Sequence, residues 1–109
     1  MPQLWTRHID ATQLRLIAPA LIKELAEICS STEDNFTIEI ISGDSIGSNE
    51  LIAPFAFIEV RWFDRGIAVQ NRFAESVTKQ LLTIGIREIE MAFIPYEKRN
   101  YYCNGVAFE

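Results

Sequence analysis

The chain opens MPQLW, and the proline directly behind the initiator methionine has the least ordinary chemistry in the sequence. If Met1 is trimmed, Pro2 changes from an amide into a secondary amine. A free α-amino group titrates near ~8, and burial in an apolar pocket lowers that value toward neutrality by disfavouring the ammonium. A base poised near ambient pH suits general-base proton transfer. The plainer alternative is that Pro2 starts a strand and does nothing more. A proton-transfer site of this kind also needs a group to hold a substrate carboxylate or an enolate. A guanidinium does this with two parallel hydrogen bonds, and Arg61, Arg65 and Arg7 are the candidates. Leu4, Trp5, Phe57, Phe63 and the tyrosines of the C-terminal tail can supply apolar walls.

Other reactive side chains read as structural. His8 stands alone as the chain's one histidine, and Cys29 and Cys103 form no CxxC pair, so no metal site is expected. Cys103 has no evident basic partner to make it a nucleophile. The glycines of GDSIGSN miss the spacing of dinucleotide and phosphate loops, so no cofactor is expected. Asp64 reads as a helix cap rather than an acid, and Tyr101 and Tyr102 as interface or core closure.

These residues have to be positioned by a small number of elements. Gln3–Ile9 reads as a first strand, and Asp10 as the cap of a helix from Ala11 to about Ser30. Its apolar stripe is Leu14, Ile17, Leu21, Leu25 and Ile28, interrupted by Pro19, which should kink it. After the polar SSTEDN come a β-branched strand Phe36–Ser42, a long loop Gly43–Pro54 and an aromatic strand Phe55–Phe63. Asp64 is expected to cap a second helix from about Gly66 to Ile84, with Val69, Phe73, Val77, Leu81 and Leu82 inward and Gly85 as its stop. Arg87–Ile94 is a fourth strand, and the Asn104–Gly105 turn in the tail allows a further short strand. The order β-α-β-β-α-β over one domain spanning residues 1–109 gives an α+β fold. Two helices lie on one face of a four-stranded mixed sheet, followed by a short C-terminal strand or turn.

With both helices on one face, the other meets water or another subunit. Alternation assigns Ile38, Ile40, Ala56, Ile58, Val60 and Trp62 to the covered face. Thr37, Glu39, Ile41, Phe55, Phe57, Glu59, Arg61 and Phe63 fall on the open one. Aromatics among paired charges suit an oligomer interface or a ligand site, or a solvated face with a few ion pairs.

Composition narrows the rest. The 109 residues are 49% hydrophobic, enough for one buried core. The net charge of −5 and scattered basic residues speak against nucleic acid. No apolar run approaches the ~20 residues that span a bilayer, and no basic-then-apolar leader opens the chain, so a cytoplasmic protein with reduced cysteines is expected. The NFT sequon at Asn35 carries no weight there.

The opening Met-Pro, the β-α-β-β-α-β order and the polar break before a β-branched second strand together resemble the tautomerase superfamily. That superfamily includes 4-oxalocrotonate tautomerase and macrophage migration inhibitory factor. PQLWTRHIDATQLRLIAPALIKELAEICSS is similar to the opening strand and helix of the former. VQNRFAESVTKQLLTIGIREIEMAFIPYEKRNYYCNG is similar to the second half of the latter. FTIEII, FIEVRWFDRG and EKRNYYCNG resemble an uncharacterised bacterial family, a domain of unknown function, within that superfamily. The resemblance implies a homotrimer packed through its open sheet faces and an active site at the N-terminal proline. Pro2 would then be the catalytic base on a small keto or enol acid. Arg61, Arg65, Glu39, Phe57 and Phe63 would lie about the substrate. Glu39 stands where 4-oxalocrotonate tautomerase carries an arginine. A carboxylate there repels an acidic substrate, pairs with Arg61 or serves as a second acid or base. The other reading is a trimeric binding or scaffold protein that kept the fold and lost the chemistry.

Overall fold

Four strands and two long helices follow each other in the expected order, with a small hairpin added at the end. The computed structural model describes residues 2–49 and 54–108. Met1, whose removal the Pro2 chemistry requires, and residues 50–53 of the long loop lie outside the described residues. Strand β1 is Gln3–Arg7 and helix α1 is Ala11–Ile28. Asp10 caps the helix, its carboxylate accepting the Thr12 N–H at 3.4 Å. The helix runs on through Pro19, which removes one hydrogen bond from its middle. Strand β2 is Thr37–Ile40 and strand β3 is Ala56–Trp62.

Helix α2 is Ile67–Thr83, close to the expected span, but its cap differs from expectation. The N-cap is Gly66, at φ 89°, a conformation that disfavours any side chain. Asp64 binds one step earlier, accepting the Gly66 N–H at 2.8 Å. At the far end Gly85 (φ 85°) donates to the Leu82 carbonyl and Ile86 to the Leu81 carbonyl, the paired bonds of a glycine-terminated helix. Strand β4 is Ile89–Pro95. Strands β5 (Tyr102–Cys103) and β6 (Val106–Ala107) form the hairpin, with Asn104 and Gly105 both at positive φ as a type I′ turn demands.

The four strands form one sheet in the order β2-β1-β3-β4. The outer pairs β1–β2 and β3–β4 are parallel, each closed over its own helix, and the two central strands are antiparallel. The molecule is thus two strand-helix-strand units joined back to back through β1 and β3. Burial follows the alternation read from the sequence along β1 and β3, but not on the outer strand β2, where Ile38 is half-buried and Ile40 is exposed. Ala56, Ile58, Val60 and Trp62 are buried, and Phe57, Glu59 and Arg61 between them are half-buried on the open face. Pro2, Leu4 and Thr6 alternate in the same way along β1. The core joins Leu4, Ile58, Val60 and Trp62 of the sheet to Leu21 and Leu25 of α1 and Phe73, Val77 and Leu81 of α2. The Trp62 ring packs against Phe73 and Phe93 at 5.4 and 5.0 Å between centroids. The expected strand Gln3–Ile9 stops at Arg7, because His8 turns out of it at φ 63°. No helix among the described residues is long and apolar enough to cross a membrane.

Candidate active site

Pro2 begins the strand at the centre of the sheet, and its position follows from strand pairing. Its carbonyl accepts the Thr37 N–H at 3.3 Å, which ties it to the start of β2. On the other side Gln3 pairs with Arg61 of β3, so Pro2 comes level with Trp62. The proline ring lies on the covered face with Leu4 and is fully buried. The end of β3, the connection into α2 and the end of β4 all reach this edge of the sheet. The Tyr96 N–H, just past β4, donates to the Trp62 carbonyl at 2.6 Å.

Two arginines meet here on opposite sides of the sheet. Arg65 reaches back over the covered face, its guanidinium 5.7 Å from the centroid of the Trp62 ring. It donates to the Phe63 carbonyl at 3.1 Å, and no carboxylate pairs with it among the described residues. Arg61 points to the open face. There it stacks on Trp5 at 3.9 Å and pairs with Glu59 at 3.3 Å. The carboxylate it meets is therefore Glu59, its neighbour two residues back, and not Glu39. Glu39 lies on the outer strand β2, exposed, directly across from Trp5.

Cys29 is the residue at this end that sequence reasoning left unplaced. It follows the last turn of α1, which a parallel strand-helix-strand unit returns to the starting edge of its first strand. Burial pushes its thiol pKa up, and the guanidiniums of Arg65 and Arg72 pull it partly back. Pro2, Trp62, Arg65 and Cys29 thus share the covered side of this edge. The signal for Cys29 was in the topology rather than in any local motif.

On the open side, Phe63 is enclosed by the tail. Its ring lies 6.1 Å from Tyr96, 5.1 Å from Tyr101 and 5.6 Å from Phe108. Gln3 joins this group to the sheet, accepting from Trp5 at 3.2 Å and from the Tyr96 hydroxyl at 3.5 Å. Of the expected site residues, Arg61, Arg65 and Phe63 come to the Pro2 edge. Phe57 does not: it pairs with Arg7 at the opposite end of β1. The largest groove described, about 650 Å³ between α1 and α2, is lined by charged residues such as Lys23, Glu24 and Lys79 and does not include Pro2.

A family model for a domain of unknown function, DUF1904, matches residues 1–107. The chain belongs to the DUF1904 family. It is similar to the DUF1904 domain from Sebaldella termitidis, with a TM-score of 0.90 and 28% identity, covering 99% of this chain and 100% of that one. A protein of unknown function from Vibrio cholerae is also similar, with a TM-score of 0.87 and 28% identity over 98% of this chain and 87% of that one. A macrophage migration inhibitory factor-like protein from Entamoeba histolytica superposes with a TM-score of 0.75 at 18% identity, covering 98% of each chain. That last likeness is one of fold, and it places this DUF1904 chain in the tautomerase fold. No curated protein matches the chain.

Proposed function

We propose that this protein is a tautomerase- or isomerase-like enzyme in which Pro2, exposed as an N-terminal amine by removal of Met1, is the general base acting on a small keto or enol acid. The observation that carries this reading is the burial of Pro2 on the side of the sheet where Arg65 stacks on Trp62 with no carboxylate partner among the described residues. Burial beside an indole ring lowers the pKa of an amine, and a guanidinium nearby opposes its protonation further. Arg65 then holds the substrate carboxylate, and Pro2 moves the proton between the enol oxygen and the carbon α to the keto group. Arg61, engaged by Glu59 and Trp5, braces the open face instead. That face, with Trp5, Phe57, Glu39 and Glu59, serves as the contact between the copies of a cytoplasmic homotrimer.

A second reading has one observation in its favour. The aromatic group at this edge is filled by the chain's own tail, Tyr101 and Phe108 against Phe63. A non-catalytic trimeric binding protein would have such a plugged edge. Intact mass of native protein shows whether Met1 is absent, and ketonisation of phenylpyruvate can then be followed for the trimmed protein, Pro2→Ala and Arg65→Gln. General-base loss should cost at least about a hundredfold in kcat/KM. Equal rates for native protein and Pro2→Ala would overturn the enzyme reading and leave the binding protein.

A further inference from the structure

The two-unit architecture gives the sheet two equivalent edges. One carries the start of β1. The other carries Pro54 and Phe55, which lead into β3, together with the turn that leaves β1 at His8. At this second edge a cavity of about 360 Å³ opens between Arg7, His8 and Ser45 on one side and Ile46, Pro54 and Phe55 on the other. A smaller cavity of about 250 Å³ shares Arg7, His8 and Ser45 and continues past Asp44.

We propose that Arg7, His8 and Ser45 form a binding site for a small organic carboxylate with an apolar or aromatic body, distinct from the Pro2 edge. Three observations support it. First, Arg7 is exposed at the end of β1 and makes no ion pair among the described residues. Asp44 lines the adjoining smaller cavity but makes no ion pair with Arg7, so the guanidinium can take a carboxylate from a ligand. Second, His8 stands at φ 63°, outside the ordinary range for a side-chain-bearing residue, and so leaves the strand direction toward the loop. Its Nε2 lies 2.6 Å from the Ser45 hydroxyl.

That pair always leaves one donor for an anion. When Ser45 donates to Nε2, the remaining imidazole N–H is at Nδ1. When Nε2–H donates to Ser45, the serine O–H is free. Third, the opposite wall is apolar and open. Ile46 is 98% exposed and Phe55 43% exposed, surface that a ligand's hydrocarbon body would cover. Gly47 at the loop adds no side chain to the cavity mouth.

The site does not depend on Pro2, and its test is separate. Titrate the full chain with phenylacetate and follow its amide and imidazole resonances by NMR. Binding at about 1 mM is expected, shifting the ring protons of His8 and the amides of Ser45, Ile46 and Gly47 while leaving Gln3, Arg65 and Tyr96 in place. Arg7→Gln and Ser45→Ala should each weaken binding, the former by about tenfold. Both residues sit at the surface, so the remaining amide spectrum reports that the variants are folded. Benzyl alcohol, which keeps the ring and lacks the charge, should not shift these signals. The proposal fails if phenylacetate causes no shift up to about 10 mM, if its shifts fall only at the Pro2 edge, if Arg7→Gln binds as tightly, or if benzyl alcohol binds equally well.

Discussion

Replacing Arg61 by alanine separates bracing of the open face from substrate binding. Arg61 stacks on Trp5 at 3.9 Å and bonds Glu59 at 3.3 Å, with its side chain 27% exposed. A partly exposed cation–π contact contributes ~0.5–1 kcal/mol. An ion pair at this exposure adds ~0.2–1 kcal/mol once solvent screening is allowed for. The side chain's stem also covers Trp5, so the change should cost about 1–2 kcal/mol in all. For a domain of this size that lowers Tm by about 4–10 °C. Urea unfolding of native protein, Arg61→Ala, Trp5→Leu and the double variant, all at one protomer concentration, gives the coupling directly. We expect a Trp5–Arg61 coupling of at least ~0.5 kcal/mol, and phenylpyruvate ketonisation that falls far less than in Arg65→Gln. A coupling below ~0.3 kcal/mol would mean the stacking contributes nothing. Loss of activity in Arg61→Ala as deep as in Arg65→Gln would refute the division of labour between the two arginines.

Three further outcomes follow from particular contacts. Trp62→Ala empties a site bounded by Phe73 and Phe93 and should cost ~3–5 kcal/mol in urea unfolding. The hydrogen bond from Lys79 holds the Glu24 carboxyl below its ordinary pKa, so the pair stabilises the fold above the unfolded-state pKa of Glu24. Because the pair is exposed, that contribution is only ~0.3–0.5 kcal/mol. It fades as pH falls through the lowered folded-state value, and Lys79→Met should remove this acid-side dependence of Tm. Toward a thiol reagent at pH 8, exposed Cys103 should give one fast equivalent that Cys103→Ser abolishes. Cys29, buried and with its pKa raised, should react only on unfolding.

The faces of the sheet were legible because a strand's period of two is written in residue types. The apolar set Ala56, Ile58, Val60 and Trp62 is the covered face in the structure, as the sequence implied. Element order was equally plain, since helix stripes and β-branched runs differ in period. What periodicity leaves open is register. Phe57 and Phe63 fall on one face in the alternation, yet the pairing of Phe57 with Arg7 carries it the full length of the strand from Pro2. The partner of Arg61 was left open for a related reason: Glu59 lies two residues away on its own strand and reaches the guanidinium, whereas Glu39 sits on β2. The cap of α2 was assigned to Asp64 because positive φ at Gly66 decides it, and only the backbone shows that. His8 read as an ordinary strand residue for the same reason.

The antiparallel joint between β1 and β3 also bears on how the chain is made. During synthesis, β1, α1 and β2 emerge first and can close a parallel unit of their own. The inner edge of β1 then offers unpaired backbone groups until β3 arrives, and Leu4 and Leu21 lack the cover that Ile58 and Val77 later supply. The decisive contacts are therefore distant in sequence, which predicts slow folding for so short a chain and a nascent half open to wrong strand partners.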